Sequence, residues 1–149
     1  MLKDEKNEFL TTLDTIPNRC SIVVNKNLTG YHLANAIAVI ALTAGRRHPV
    51  LLGCDLIDAS GETHPGLIPT GIPILCMDED GLHQLRREAK AKNCDVVDFT
   101  VEGQQTKDYD EYLEMTSMIP ADRLRYLGIA IIGSKNAVSK LTKHCDIFR

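Results

Sequence analysis

The side chains of this sequence that could do chemistry together are the imidazole of His32, the amide of Asn35, the carboxylate of Asp98, and the neutral donors and acceptors of Gln104, Gln105 and Thr106. His32 is placed to act as a base. Asp98, at the end of an apolar run, could orient or activate a water, while Asn35 and Gln105 could hold a polar or acyl group. Gly30 and the free N–H groups of the helix start beside it could hold an anion, with the helix dipole contributing about 0.3–1 kcal/mol. Each residue also has a plain structural reading. Asn35 can satisfy a nearby backbone group, Asp98 can cap its own loop, His32 can be a surface residue and Gly30 a turn glycine.

Other chemistries find no pattern. Neither a Gly-x-Gly-x-x-Gly nor a Gly-Lys-Ser/Thr run occurs, so no dinucleotide or P-loop site is expected. No two histidines fall at helical spacing, and no Cys/His cluster has zinc spacing, so neither a metal nor a cofactor is expected. Cys20, Cys54, Cys76, Cys94 and Cys145 form no CxxC pair and read as buried free thiols of a reducing compartment. Cys54, beside Asp55, is the candidate nucleophile among them. The formal net charge is −3 with no basic stripe. Lys135, Lys140, Lys143 and Arg149 face one acid, Asp146, and Arg46–Arg47 form a smaller pair, too little for a nucleic-acid footprint.

Positioning those residues takes a layered fold. The chain has 149 residues, 44% hydrophobic and 25% charged. That fits one domain that buries roughly 68–70% of the surface of its unfolded chain. No stretch approaches the roughly 20 apolar residues of a membrane span. The opening MLKDEKNEFL lacks the apolar core of a signal peptide, so a cytoplasmic protein is expected. Residues 1–16 could form a helix on Phe9, Leu10 and Leu13, stopped by Pro17, giving an extension over 1–17 and a single domain over 18–149.

The rest of the chain alternates. A strand over Arg19–Asn25 and a turn to Gly30 lead into an alanine-rich helix, His32–Ala44, with Gly45 as a left-handed cap and Arg46–Arg47 suited to its C-terminus. A helix so apolar is expected to be covered on most of its circumference. The segment around 50–72 reads as a hairpin insert with a strand at Val50–Gly53, a continuation at Leu56–Ile57 and a turn at Ala59–Glu62. Further strands are predicted at Ile72–Met77, Cys94–Phe99 and Tyr126–Gly133, with helices at Glu79–Lys92, Tyr109–Met118 and Ser134–Lys143. A polar loop is predicted over Thr100–Asp108, and Ile147–Phe148 as a short closing strand or packed tail. The order predicts a three-layer α/β fold, a mixed sheet of about four core strands with helices on both faces.

Ile22-Val23-Val24, Asn27-Leu28, the Gly30 turn and the alanine-rich helix resemble the opening of peptidyl-tRNA hydrolase II. Asp98, the loop with Gln105-Thr106, and Ile129–Gly133 followed by Ala137–Thr142 resemble its second half. From Arg19 to Phe148, with the Glu62–Gly66 insert and Asp98-Phe99-Thr100, the chain looks closer still to a bacterial family, the domain of unknown function numbered 2000. The resemblance implies the hydrolase II fold and often a homodimer. The hydrolases carry lysines in the turn and a histidine in the helix, where this chain has Thr29-Gly30-Tyr31-His32 and Ala34–Val39. Losing a positioned acid or base typically costs about 10²–10⁴ in rate, and losing lysines weakens the grip on a polyanion, so weak or absent tRNA binding is expected. The expected function is a domain binding a small ligand at the first helix's N-terminus. The alternatives are a hydrolase of a small ester or amide using Asp98 and His32, and a dimeric module using the apolar helix or the 54–71 hairpin.

Overall fold

Two strands, Arg19–Asn25 (β1) and Tyr126–Gly133 (β6), lie at the centre of the molecule. Ile22, Val23, Val24, Ile129, Ala130 and Ile131 have no exposed surface, so both faces of the sheet must be covered. The computed structural model describes residues 16–149. The helix predicted over 1–16, and most of the extension over 1–17, lies outside the described residues.

The sheet has five strands in the order β5-β6-β1-β4-β7, where β4 is Ile74–Met77, β5 Asp95–Thr100 and β7 Asp146–Ile147. β1 pairs parallel with β4, and the remaining pairings are antiparallel. The sheet is mixed, as predicted, with β7 as a short edge strand beyond the predicted four. Opposite Phe99 and Thr100 the register skips Leu127, a bulge near the C-terminal end of β5.

Helix α1, Gly30–Arg47, covers one face through Ala36, Ile40 and Ala44, against Cys20, Ile22, Val24, Ala130 and Ile132. Gly128 lets it come close: a Cβ there would sit 3.1 Å from Ile40 Cδ1. On the other face lie α2, Glu79–Ala91, and α5, Lys135–Thr142, through Leu82, Leu85, Ala89 and Val138. Between β5 and β6 come a short α3, Val101–Gln105, and α4, Tyr109–Ser117. Side chains open three of the helices: Asp78 accepts from Gly81 N at 2.7 Å, Asp108 from Glu111 N at 2.8 Å and Ser134 from Ala137 N at 3.3 Å. Among the described residues no helix is long and apolar enough to cross a membrane.

Four predictions are corrected. α1 does not stop at Gly45 but runs through it to Arg47, so Gly45 is helical and not a left-handed cap. Its apolar surface is covered on one side only, and Tyr31, Ala34, Ala38 and Leu42 are exposed. Val50–Gly53 is not a strand: Pro49 opens a 3-10 turn over Pro49–Leu51, and Leu51 is buried against the α1 core. The segment from Thr100 to Asp108 is not all loop, since α3 lies within it. The hairpin itself is present as Leu56–Ile57 (β2) paired with Thr63–His64 (β3), in a separate two-stranded sheet, while Ile68 and Ile72 pack on the α1 face.

Arg46 and Arg47 suit the helix dipole, and Arg47 does more. Its Nε and Nη2 donate to Asp95 at 2.7 and 3.1 Å, and His48 Nε2 meets the same carboxylate at 2.5 Å, clamping the end of α1 to the start of β5. The Arg47 hydrogen bond, with help from His48, holds the Asp95 carboxyl down at about 2, against an ordinary 3.8. A carboxyl depressed in the folded state contributes stability that is complete above the ordinary value and is lost as pH falls through the folded one. Asp95→Asn should therefore flatten the loss of stability between about pH 4 and pH 2, measured as urea midpoints across that range. Identical acid limbs in the two proteins would show that the clamp adds nothing.

Candidate functional site

The turn after β1 is built by its own polar groups. Asn25 Oδ1 accepts from Asn27 N at 3.0 Å, Leu28 N donates to Asn25 O at 3.0 Å, and Lys26 N donates to Met77 O at 2.9 Å. Gly30 then takes a φ of +54°, a left-handed entry into α1 that favours glycine. Thr29, the N-cap, is extended, and its side chain makes no capping bond; the first turn of α1 carries no acid. The opening N–H groups of α1 thus lack the side-chain partner that most helices supply.

Beside them lies a cleft of about 290 Å³ lined by Asn27, Leu28, Thr29, His32, Val101, Gln104 and Gln105. Its wall is fixed by Gln104, whose Nε2 donates to His32 O at 2.8 Å and to Asn35 Oδ1 at 3.2 Å. One side-chain amide therefore pins α3 to the first turns of α1. Asn35 itself lines a second groove of about 450 Å³, where Thr43, Val97, Phe99, Tyr109 and Tyr112 converge. There Thr100 Oγ1 and Tyr112 Oη share a hydrogen bond at 3.0 Å.

The structure brings Gly30, His32, Asn35, Gln104 and Gln105 to one end of α1 and leaves two predicted residues out. Thr106 donates its hydroxyl to Glu102 O at 2.9 Å and closes α3. Asp98 borders the second groove, but its carboxylate is engaged elsewhere: Arg86 of α2 donates Nε to Oδ2 at 2.6 Å. The imidazole, the amide and this carboxylate do not share one cleft: His32 lines the first, while Asn35 and Asp98 both line the second groove. In β5, Val97 and Phe99 turn to the α1 core, so strand alternation sends Asp98 toward α2. There Arg86 also lies 5.5 Å from the Tyr126 ring, which His83 meets edge-on at 4.8 Å. Burial, followed by smaller and opposing effects of Arg86 and Asp98, raises the Tyr126 hydroxyl above its ordinary pKa.

Two other groups of side chains come together. Among the described residues Asp58, Glu62 and His64 bring possible metal-ligating atoms within 4.8 Å of one another, all exposed on the hairpin. Asp58 is already occupied, with Oδ1 accepting from Ser60 N and Glu62 N and Oδ2 facing His64 Nε2 at 3.0 Å. The His64 contact, followed by the Glu62 N–H, lowers the Asp58 carboxyl. All five cysteines are free, and the expectation that all are buried is corrected: Cys20 and Cys94 are, Cys76 and Cys145 are half-buried, and Cys54 is exposed.

The family described as "Protein of unknown function (DUF2000)" matches residues 18–149. The chain belongs to the DUF2000 family. Its fold is similar to that of a solved structure, the protein of unknown function Atu0240 from Agrobacterium tumefaciens strain C58. The TM-score is 0.79 at 16% identity, over 91% of this chain and 98% of that one. At that identity the likeness shows the fold alone. No curated protein matches.

Gln104→Ala should release α3 from α1, lowering stability by about 1 kcal/mol for a net hydrogen bond lost. Hydrogen exchange of the α3 amides should rise more than that of the α2 amides. Unchanged α3 protection would show that Gln104 does not anchor it.

Proposed function

We propose that this DUF2000 domain binds a small polar ligand bearing an anionic or carbonyl oxygen in the cleft at the N-terminus of α1. The observation that carries this reading is the pairing of an uncapped helix start with the Gln104 bridge. The helix presents N–H donors and positive dipole to a hollow whose wall is held in place without using those donors. Asn35 lines the neighbouring groove and acts on the cleft through its Oδ1, which accepts from Gln104 and helps hold the wall in place. His32 lines the cleft and contributes a donor or an acceptor.

The fold reading proposed with it is peptidyl-tRNA hydrolase II-like, supported by the order of segments that resemble that family and by a mixed sheet with helices on both faces. Hydrolysis of a small ester or amide is the second reading, with His32 as base. It is disfavoured because Asp98 is paired with Arg86 and the described residues lining the cleft include no carboxylate. A cytoplasmic setting is proposed on the free thiols. Without lysines in the β1–α1 turn other than Lys26, tRNA should bind weakly or not at all in filter assays at low salt.

Thermal shifts across inorganic phosphate, small carboxylates and acyl esters test the reading. A true ligand at 100 times its Kd adds about 2.7 kcal/mol, and Asn35→Leu or His32→Ala should remove that gain. A shift that survives both substitutions places the ligand elsewhere. Ester hydrolysis that disappears in His32→Ala would replace binding with catalysis as the function.

A further inference from the structure

The cleft at the start of α1 continues into a second hollow. His32, Asn35, Val39 and Thr43 follow one another at steps of three, four and four residues. At 100° per residue they fall within an arc of about 80° on one side of α1. His32 lines the cleft, and the other three line the neighbouring groove. The facing wall is shared in the same way, with Gln104 of α3 in the cleft and Gly103 in the groove. The two hollows therefore lie in line along α1 and meet where Gln104 Nε2 donates to Asn35 Oδ1 at 3.2 Å. From His32 to Val39 the distance along the helix axis is about 10 Å.

Their chemistries differ. The cleft offers the uncapped start of α1, with no acid in the first turn. The groove offers rings. Phe99 meets Tyr112 edge-on with centroids 6.4 Å apart, and Tyr109 meets Tyr112 edge-on at 6.1 Å. Gly103 makes room for the first of them: a Cβ there would collide with the Phe99 ring, so the missing side chain lets that ring reach under α3. Thr100 Oγ1 occupies the Tyr112 hydroxyl, which leaves ring surface for the groove. Tyr109 is 72% exposed and Val39 38%, apolar surface gathered in a hollow. Among the described residues the one acid lining either hollow, Asp98, is held by Arg86, so neither hollow carries a free carboxylate to repel an anion.

We infer that the ligand is an amphipathic monocarboxylate, its carboxylate received at the start of α1 and its aromatic ring lodged against Phe99, Tyr109 and Tyr112. This rests on the cleft reading above and adds the second hollow to it. Charge sets the direction. The positive end of α1 and the neutral amides suit the anion, while the three rings suit a fourth in edge-on or offset contact. The reverse arrangement strands a carboxylate among rings and apolar side chains, where it lacks a partner. Spacing sets the length. An extended chain advances about 1.2 Å per bond, so a linker of about five methylenes carries the ring over the Gln104–Asn35 bridge to the middle of the groove.

Amide NMR titrations of the full chain with acetate, hexanoate, phenylhexanoate and the uncharged phenylhexanamide test it. Acetate should shift the amides of the first turn of α1, and phenylhexanoate should shift those together with Val39, Gly103 and Tyr112. The ring should tighten binding at least about tenfold over hexanoate, as burial of one aromatic group does. Tyr109→Ala, at an exposed position, and Val39→Glu, which sets a charge in the groove, should each bring the two affinities within about threefold of one another. Far-UV circular dichroism checks that both variants fold. The amide should bind at least about threefold more weakly than the acid. Equal affinities for hexanoate and phenylhexanoate, or shifts confined to the first turn of α1, overturn the ring site and leave the cleft reading standing. A ring gain that survives both substitutions also overturns it. An amide that binds as tightly as the acid overturns the carboxylate. Shifts confined to the groove overturn the placement of the carboxylate and the cleft reading with it. No shift with any probe overturns this inference, and the phosphate and ester arms of the thermal-shift series then decide the cleft reading by themselves.

Discussion

The burial of β1 and β6 on both faces is the constraint from which the rest of the molecule follows. Ile22 and Val24 point one way and Val23 the other, all without exposed surface, so the sheet exists only as the middle of three layers. At about 25 cal/mol per Å² of apolar surface, leaving either face open would forfeit the stabilisation of that whole face. α1 answers this on one side and α2 with α5 on the other. Because α1 follows β1 after one short turn and presses Ile40 against Gly128, its N-terminus is held beside the end of β1. The cleft is a by-product of that packing.

The same sheet divides the chemistry. Successive residues of β5 alternate between layers, with Val97 and Phe99 under α1 and Asp98 beside Arg86 of α2. An acid and an imidazole that a linear reading can join line different hollows, and the acid is held by an arginine. What remains at the end of α1 is a set of neutral amides, one histidine and backbone donors, a collection suited to holding an oxygen and poorly suited to activating water. The tight ionic contacts lie elsewhere: Arg47 and His48 with Asp95 brace one end of α1, and Arg86 with Asp98 ties α2 to the sheet.

Much of this was legible in the chain because the signals were local. β6 runs over Tyr126–Gly133 as its unbroken apolar run predicts, and Asp78, Asp108 and Ser134 each mark a helix start with a side-chain bond. The failures come where a local signal met a tertiary one. Val50–Gly53 carries strand-forming residues, but Pro49 and the burial of Leu51 turn it into a 3-10 segment. Gly45 looks like a stop signal, yet the Arg47–Asp95 clamp carries the helix past it. The direction of Asp98 was available from period-two alternation once Val97 and Phe99 were taken as core. The Gln104 bridge was not, since its partners on α1 lie far away in sequence and the amide spacing within α3 carries no sign of them.

The five thiols differ in a way that bears on handling the protein. Burial pushes Cys20 up to about 11, and burial with Asp146 and Cys76 nearby does the same for Cys145. At pH 7 either is ionised in about one molecule in ten thousand, and the thiolate is the form that reacts. Cys54, exposed at the root of the hairpin insert, has no such barrier of access. A maleimide dye or spin label supplied in limiting amount should therefore react first at Cys54, which places a reporter on the hairpin insert without added cysteines.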